Sequence, residues 1–572
     1  MARSVESDDV PAQDEAEVRE RDIVEAYLSE HALEPSLNDV INQVVAERPA
    51  DPFLVLSTLL YAKATAKRGI FHVEVREILD GNGVPTVVVR LHTGKGVFEA
   101  SCSSETRGIP DKADPREDPT EAAVPLAKQR FSGRGYRKQA EKAERVLAEK
   151  LLNVEPTDQS AIDSILTVLE PEVGRNVCYA TSIAVCQAGA KYAELPLTEY
   201  IAKLHDMPLE NLCVPMPLFS VVNAGKYASN KLFVQEIFLS PSSAVNFADA
   251  YQIGAEFNEA LREQLETRGI GFTNVGAFGG FAPQLQTLAE MFQILRMALD
   301  ATCTKLETGI AMDAASASPL RVDFGVDFSA SDFVLLPPAS ASGDDAAGTS
   351  TTKSLLAPSP AEDEPRTSYS YNMDKWVSGS AGSLKSSGEL FDIIRSSIRE
   401  LEITAVVDPF EKEDIKSFSA LLSAEHDADD ASGVDATDAT NLLRKSDLGG
   451  DPNCCVQIVG NTLFQFQGLD AIHEERACNT ILLQLHQFST LSRALGAVTD
   501  ARRLGLSVIL GAAAGDPSSE ANFLAAFAIG AGIGQVKFGG LCSAECIARY
   551  NALLLASEDT FAPAFVASAY RR

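Results

Sequence analysis

Val275-Gly276-Ala277-Phe278-Gly279-Gly280-Phe281-Ala282-Pro283 is the stretch from which the rest of the chain can be read. It follows a short apolar run, Gly271-Phe272-Thr273-Asn274. It precedes a predicted helix, Leu285 to Ala301, in which Leu288, Met291, Phe292, Leu295 and Leu299 recur at helical spacing. Three glycines at such a junction let backbone come close to a ligand. Four short apolar strands recur downstream: Val456-Gln-Ile-Val, Ile481-Leu-Leu-Gln, Val508-Ile-Leu-Gly and Val536-Lys-Phe-Gly. Their spacings are 25, 27 and 28 residues. Each of the first three is followed by a helical stretch, so the class is α/β, with a parallel sheet closed as a (β/α) barrel. Chemistry in such barrels gathers at the C-terminal ends of the strands.

Bulk properties narrow the function. The chain has 572 residues, 45 per cent of them hydrophobic, which is enough for several domains and a sizeable core. A net charge of −31 argues against a nucleic-acid partner, which selects for a basic face. Ten cysteines are scattered without CxxC pairs, as suits a reducing cytoplasm. No secretory signal is read at the acidic N-terminus, and no apolar run approaches the roughly 20 residues of a membrane span.

Residues 1–20 read as disordered. Residues 22–66 carry three short amphipathic helices. Ile23, Val24, Tyr27 and Leu28 form one face. The second helix turns Leu37, Val40, Ile41, Val44 and Val45 inward, and the third, from Pro52, does so with Phe53, Leu56, Leu59 and Leu60. None is long enough to be stable alone. Ile23-Val-Glu-Ala-Tyr-Leu28 and Val45-Ala-Glu-Arg-Pro-Ala-Asp-Pro-Phe-Leu-Val-Leu56 resemble the dimerisation/docking helices of protein kinase A regulatory subunits. That resemblance implies a homodimer whose groove receives an amphipathic helix of a scaffold protein.

Residues 70–205 read as a small α+β domain. Its first strands are Phe71-His-Val-Glu-Val-Arg-Glu-Ile-Leu79 and Thr86-Val-Val-Val-Arg-Leu-His92, with Asp80-Gly-Asn-Gly83 as the turn between them. Arg76-Glu-Ile-Leu-Asp-Gly-Asn-Gly-Val-Pro-Thr-Val87 resembles the opening of enolases, Arg-Glu-Ile-Leu-Asp-Ser-Arg-Gly-Asn-Pro-Thr-Val. The 275–283 loop resembles their Gly-Asp-Glu-Gly-Gly loop. Val214-Pro-Met-Pro-Leu-Phe-Ser-Val-Val-Asn-Ala-Gly225 and Gln235-Glu-Ile-Phe-Leu-Ser-Pro241 extend the match. The implied architecture is an N-terminal α+β capping domain followed by a (β/α)8-type barrel over 210–560. Low-complexity insertions are expected at 337–371 and 425–451. With the helical extension, the chain is most similar to the divergent enolase-like proteins of sperm and other motile flagella.

Enolase chemistry removes a proton alpha to a carboxylate. It uses two divalent metals, a lysine base and an acidic glutamate. Carried over residue by residue, the resemblance retains Gln235 and Glu236 as substrate-side and catalytic groups, Lys537 as the second lysine, and Asp313 as the first metal carboxylate. The family's histidine falls on Tyr227 and its acid on Phe278. The remaining metal carboxylates fall on Val407 and Asn461. The base falls on Gln484 and the phosphate-binding arginine on Ala513. The mobile loop falls on Ser103-Ser-Glu-Thr-Arg-Gly108, where Glu105 adds negative charge. Glu236, Asp313 and Lys537 are expected to survive as a buried charge cluster.

These substitutions imply a catalytically inactive scaffold needing no cofactor, with magnesium only if a residual site binds it. The leading expectation is a structural or adaptor protein, cytoplasmic and associated with a ciliary or flagellar axoneme. The alternatives are phosphopyruvate hydratase (enolase) or a related magnesium-dependent lyase, and a sensor that holds a small anion at Lys537.

Overall fold

The computed structural model describes residues 24–30, 32–64, 69–103, 130–228, 230–309, 320–335, 369–375, 383–431, 456–513, 515–558 and 563–566. Residues 1–20, the 104–108 loop, Asp313 and most of both expected insertions lie outside them.

Residues 24–30 are helical, followed by α1 (Leu33–Glu47) and α2 (Pro52–Ala64). Arg48, in the left-handed region, ends α1 by donating its N–H to Val44 O at 2.9 Å. The predicted inward face of α1 is only half covered. Val40 and Val44 are buried, whereas Leu37, Ile41 and Val45 are 43, 47 and 63 per cent exposed. Phe53 and Leu60 of α2 are exposed as well. Two short helices cannot enclose an apolar arc this wide between them.

The capping domain begins with an antiparallel sheet of β1 (Ile70–Leu79), β2 (Pro85–Thr93) and β3 (Gly96–Ser101), β2 at its centre. Alternation sorts its faces. Val73, Val75, Val87, Val89 and Leu91 are buried, against α3 (Arg137–Leu151) and α5 (Arg175–Ala193). His72, Glu74, Arg76, Arg90 and His92 occupy the alternate positions, on the other face. The helices α4 (Gln159–Val173) and α6 (Leu197–Leu204) complete the layer.

The barrel is closed and eight-stranded. In order around it run β4 (Met216–Asn223), β5 (Glu236–Ser240), β6 (Asp323–Asp327), β9 (Ile403–Val407), β10 (Gln457–Gly460), β11 (Thr480–Gln484), β12 (Ser507–Gly511) and β13 (Gln535–Gly539). β13 pairs with β4 to close it. Seven strands are parallel as expected, but β5 is antiparallel to both neighbours. Among the described residues of 224–235 there is no crossover helix, and a parallel return would need one. Outside the strands lie α7 (Phe247–Arg268), α8 (Leu288–Gly309), α9 (Ser387–Leu401), α10 (Ile415–Ala431), α11 (Thr462–Glu475), α12 (Leu491–Arg503), α13 (Ala521–Gly530) and α14 (Ala544–Ser557).

Three expectations are corrected. The helix after the glycine loop is Leu288–Gly309 rather than 285–301. The 337–371 segment does not stay irregular to its end. β7 (Ser370–Asn372) pairs with β8 (Leu384–Ser386), and Tyr371 is fully buried with its hydroxyl accepting from Glu411 N at 3.0 Å. Glu425–Ala431 belongs to α10, not to an insertion.

The capping domain is bonded to the barrel through buried polar groups. Asp163 accepts from Ser492 N at 2.9 Å and from Ser492 Oγ at 2.6 Å. Glu520 accepts from Ser101 N at 2.8 Å, and Gly81 N donates to Gly515 O at 3.0 Å.

Candidate active site

Strand register assembles the site. Because β5 runs backwards, its first residue lies at the end where its neighbours finish. Asn223 pairs with Glu236, Glu236 with Asp327, and Asp327 with Val407. On the far side Gln484 pairs with Gly511 and Gly511 with Lys537. One layer at the barrel mouth therefore presents Glu236, Asp327, Val407, Gln484 and Lys537. Glu236, Asp327, Gln484 and Lys537 line one cavity, together with Gln235, Phe278, Asn461, Leu482, Gly511, Ala512 and Gly539. Ala513 lines an adjoining cavity with Lys226 and His486.

The glycine loop is fitted against this layer. Gly276 N donates to Gly280 O at 2.9 Å, and the Asn223 side-chain Oδ1 accepts from Phe278 N at 3.1 Å and Gly280 N at 3.0 Å. Gly279 has φ +74, and a Cβ there would lie 2.9 Å from Gly540 O, so the turn requires glycine. The Phe278 ring is thereby held with its centroid 5.7 Å from Lys537 Nζ. A hydrophobic ring, not a proton donor, faces the lysine.

Lys537 donates to Glu236 Oε2 at 2.6 Å and to Asp327 Oδ2 at 3.2 Å. All three side chains are nearly inaccessible to solvent. Burial pushes the Lys537 ammonium down, but the two carboxylates outweigh it and raise the group, so it stays charged. Burial pushes Glu236 up, opposed by Lys537 and reinforced by Asp327. Asp327 Oδ1 accepts from Ser329 N at 3.1 Å and Oγ at 3.0 Å. The surviving charge cluster is thus Glu236, Asp327 and Lys537, with Asp327 in the place assigned to Asp313 by sequence. Phe324-Gly-Val-Asp327 repeats the apolar-small-apolar-Asp pattern of Ile310-Ala-Met-Asp313 fourteen residues later. That repeat was the available signal.

The positions that resemblance gives to a divalent metal do not fit one. Val407 has no ligand atom and is fully buried with Leu218, Phe238, Ala405, Val459, Leu482 and Ile509. Asn461 Oδ1 is neutral and accepts from Gln465 Nε2 at 3.1 Å and Gln487 Nε2 at 3.4 Å. Asp327 shares the Lys537 ammonium with Glu236, which lies closer to it. Asp408, next to Val407 in the chain, is fully buried and turned towards the start of α11. It accepts from Asn461 N, Thr462 N and Thr462 Oγ1 at 2.7–2.9 Å. Burial and the Asp327 charge push it up to about 6. Magnesium selects several charged oxygens in near-octahedral array, and of Val407, Asn461 and Asp327 only the last offers a carboxylate, whose oxygens already accept from Lys537 and Ser329. Gln484, at the base position, accepts from Gln487 Nε2 at 3.2 Å and cannot take a proton near neutrality.

Comparison with known proteins bears on the family of the fold. Residues 70–201 match the family model described as enolase, N-terminal domain, and residues 211–328 and 447–569 match enolase, C-terminal TIM barrel domain. "Cytosolic enolase 3" of Arabidopsis thaliana is 28% identical, with 94% of this chain and 96% of that one covered. "Enolase" of Eimeria tenella is 28% identical over 86% of this chain and 96% of that one. "Enolase" of Solanum lycopersicum is 27% identical over 87% and 97%. The Arabidopsis match exceeds what residues 70–572 could supply, 503 of 572, so it reaches into the N-terminal helices. With both domain models matched in order and the barrel closed as described, the chain belongs to the enolase family.

Proposed function

We propose that this chain is an enolase-fold protein without dehydratase activity, used as an adaptor. The observation that carries the first half is the layer at the barrel mouth. Where an enolase needs a base and a second metal carboxylate, the chain has Gln484 and a buried Val407, and its one central lysine is held between two carboxylates. Losses at one catalytic site do not add, because removing the base alone abolishes most of the rate.

The second half rests on the exposed stripe of α1. Leu37, Ile41 and Val45 stand four residues apart beside the buried Val40 and Val44, and Phe53 and Leu54 of α2 are also exposed. A two-fold pairing with a second copy covers such a stripe with its own equivalent. The paired helices then offer a groove to an amphipathic helix of a scaffold protein. We place the complex in the cytoplasm, on a ciliary or flagellar axoneme. Among the described residues no helix is long and apolar enough to cross a membrane.

The test is sedimentation velocity of the full chain and of the Ile41→Asp/Leu56→Asp variant, followed by detergent and high-salt extraction of cells carrying each. The expected result is a dimer retained by the cytoskeleton and a soluble monomeric variant. Equal retention of both overturns the docking role.

A second reading is an enolase-superfamily lyase in which Lys537 is the base. It is favoured by the cavity that Lys537, Glu236, Asp327 and Gln235 share. Magnesium-dependent turnover of 2-phosphoglycerate separates the two.

A further inference from the structure

On the face of the capping sheet opposite α3 and α5, three ligand groups converge. His72 on β1 lies directly opposite His92 on β2 in the antiparallel register. Glu74 is two residues along β1 and so points from the same face. His72 Nε2 is 3.5 Å from Glu74 Oε1, and His92 Nε2 is 3.2 Å from that same oxygen. All three ligand atoms lie within 4.8 Å of one another. The His92 Nε2 atom is buried and makes no hydrogen bond, although the carboxylate is adjacent. With the neutral ring's proton on Nδ1, His92 Nε2 and Glu74 Oε1 present two lone pairs 3.2 Å apart.

We propose that His72, Glu74 and His92 form a zinc-class metal site, with water as the fourth ligand. Tetrahedral zinc with bonds of about 2.0–2.1 Å sets neighbouring donor atoms about 3.3 Å apart. Two of the three separations already match, and the third closes by a small rotation of His72, which is half exposed. Two imidazoles and one carboxylate select zinc, copper or nickel over magnesium and calcium. Arg76 and Arg90 each lie 3.7 Å from Glu74 Oε2. These looser ion pairs lie on the Oε2 side and leave Oε1 towards the rings, while Arg76 and Arg90 are themselves paired with Glu144 at 2.6 Å and Glu99 at 3.1 Å. The metal would tie β1 to β2 at the surface, outside the cavities at the barrel mouth. The site stands independently of the adaptor reading.

The experiment titrates Zn2+ into untagged, chelator-stripped, reduced full-length protein, with Co2+ absorption as a second readout. One ion per chain, tighter than about 0.1 mM, is expected, together with the visible band of tetrahedral Co2+. Glu74→Gln, His72→Gln and His92→Phe should each weaken binding tenfold or more, with circular dichroism confirming the fold. Binding unchanged in all three variants, or lost only when the thiols are alkylated, overturns the site. So does saturation only at millimolar zinc in the wild type.

Discussion

Replacing Lys537 by methionine keeps most of the volume of the side chain and removes its charge. It leaves Glu236 and Asp327 facing each other at the barrel mouth, both essentially inaccessible to water. The ammonium that had donated to them at 2.6 and 3.2 Å is gone. Removing one partner from a buried ionic cluster costs about 3–5 kcal/mol. Two carboxylates in one pocket then share a proton, so their effective pKa lies above the unfolded value. A raised folded-state pKa gives stability that is present below the unfolded pKa and is lost as pH rises through the folded one. The Lys537→Met deficit should therefore be full near pH 8 and shrink towards pH 5. The assay is urea unfolding followed by far-ultraviolet circular dichroism at both pH values. The triple variant Lys537→Met/Glu236→Gln/Asp327→Asn should recover most of the loss, since no uncompensated charge remains. A single variant within about 1 kcal/mol of the wild type at pH 8, or one rescued by Mg2+ alone, would refute the structural role of the cluster.

Two further outcomes follow from neighbouring groups. Val407→Glu puts a carboxylate into the apolar layer formed by Leu218, Phe238 and Val459, and should cost at least about 3 kcal/mol. Magnesium should not restore it; recovery of the urea midpoint in millimolar Mg2+ would show a working metal position. Glu520, pushed up to about 8 chiefly by burial, gives stability that is present below about pH 4.5 and lost as pH rises through 8. Glu520→Gln, which cannot ionise, should flatten the fall in stability between pH 5.5 and 8 by up to about 1.4 kcal/mol per pH unit. Parallel pH curves for variant and wild type would contradict that.

The barrel was legible because its last four strands repeat at a nearly constant spacing and end in residues with recognisable roles. The reversal of β5 was less so. Its consequence, that the first residue of the strand rather than the last faces the site, appears only once the register is known. Asp327 was passed over because Ile310-Ala-Met-Asp313 offers the same local pattern, and only pairing with Glu236 and Val407 selects between them. Tyr371 falls in a low-complexity insertion because its sequence neighbours are polar, whereas its hydroxyl is bonded to Glu411 N and its backbone bridges Val334, both more than thirty residues away. The α1 stripe was read as inward because periodicity reports apolarity, not which neighbour covers it. His72, Glu74 and His92 stand on two separate strands, and His92 meets the other two only through antiparallel pairing.

The central claim is that the barrel mouth lacks dehydratase chemistry. The most direct measurement is the rate of phosphoenolpyruvate formation from 2-phosphoglycerate by pure protein at high concentration, with and without Mg2+. The expected result is no Mg2+-dependent rate above the protein-free control. A Mg2+-dependent rate abolished by Lys537→Met would contradict the claim and establish Lys537 as a catalytic group.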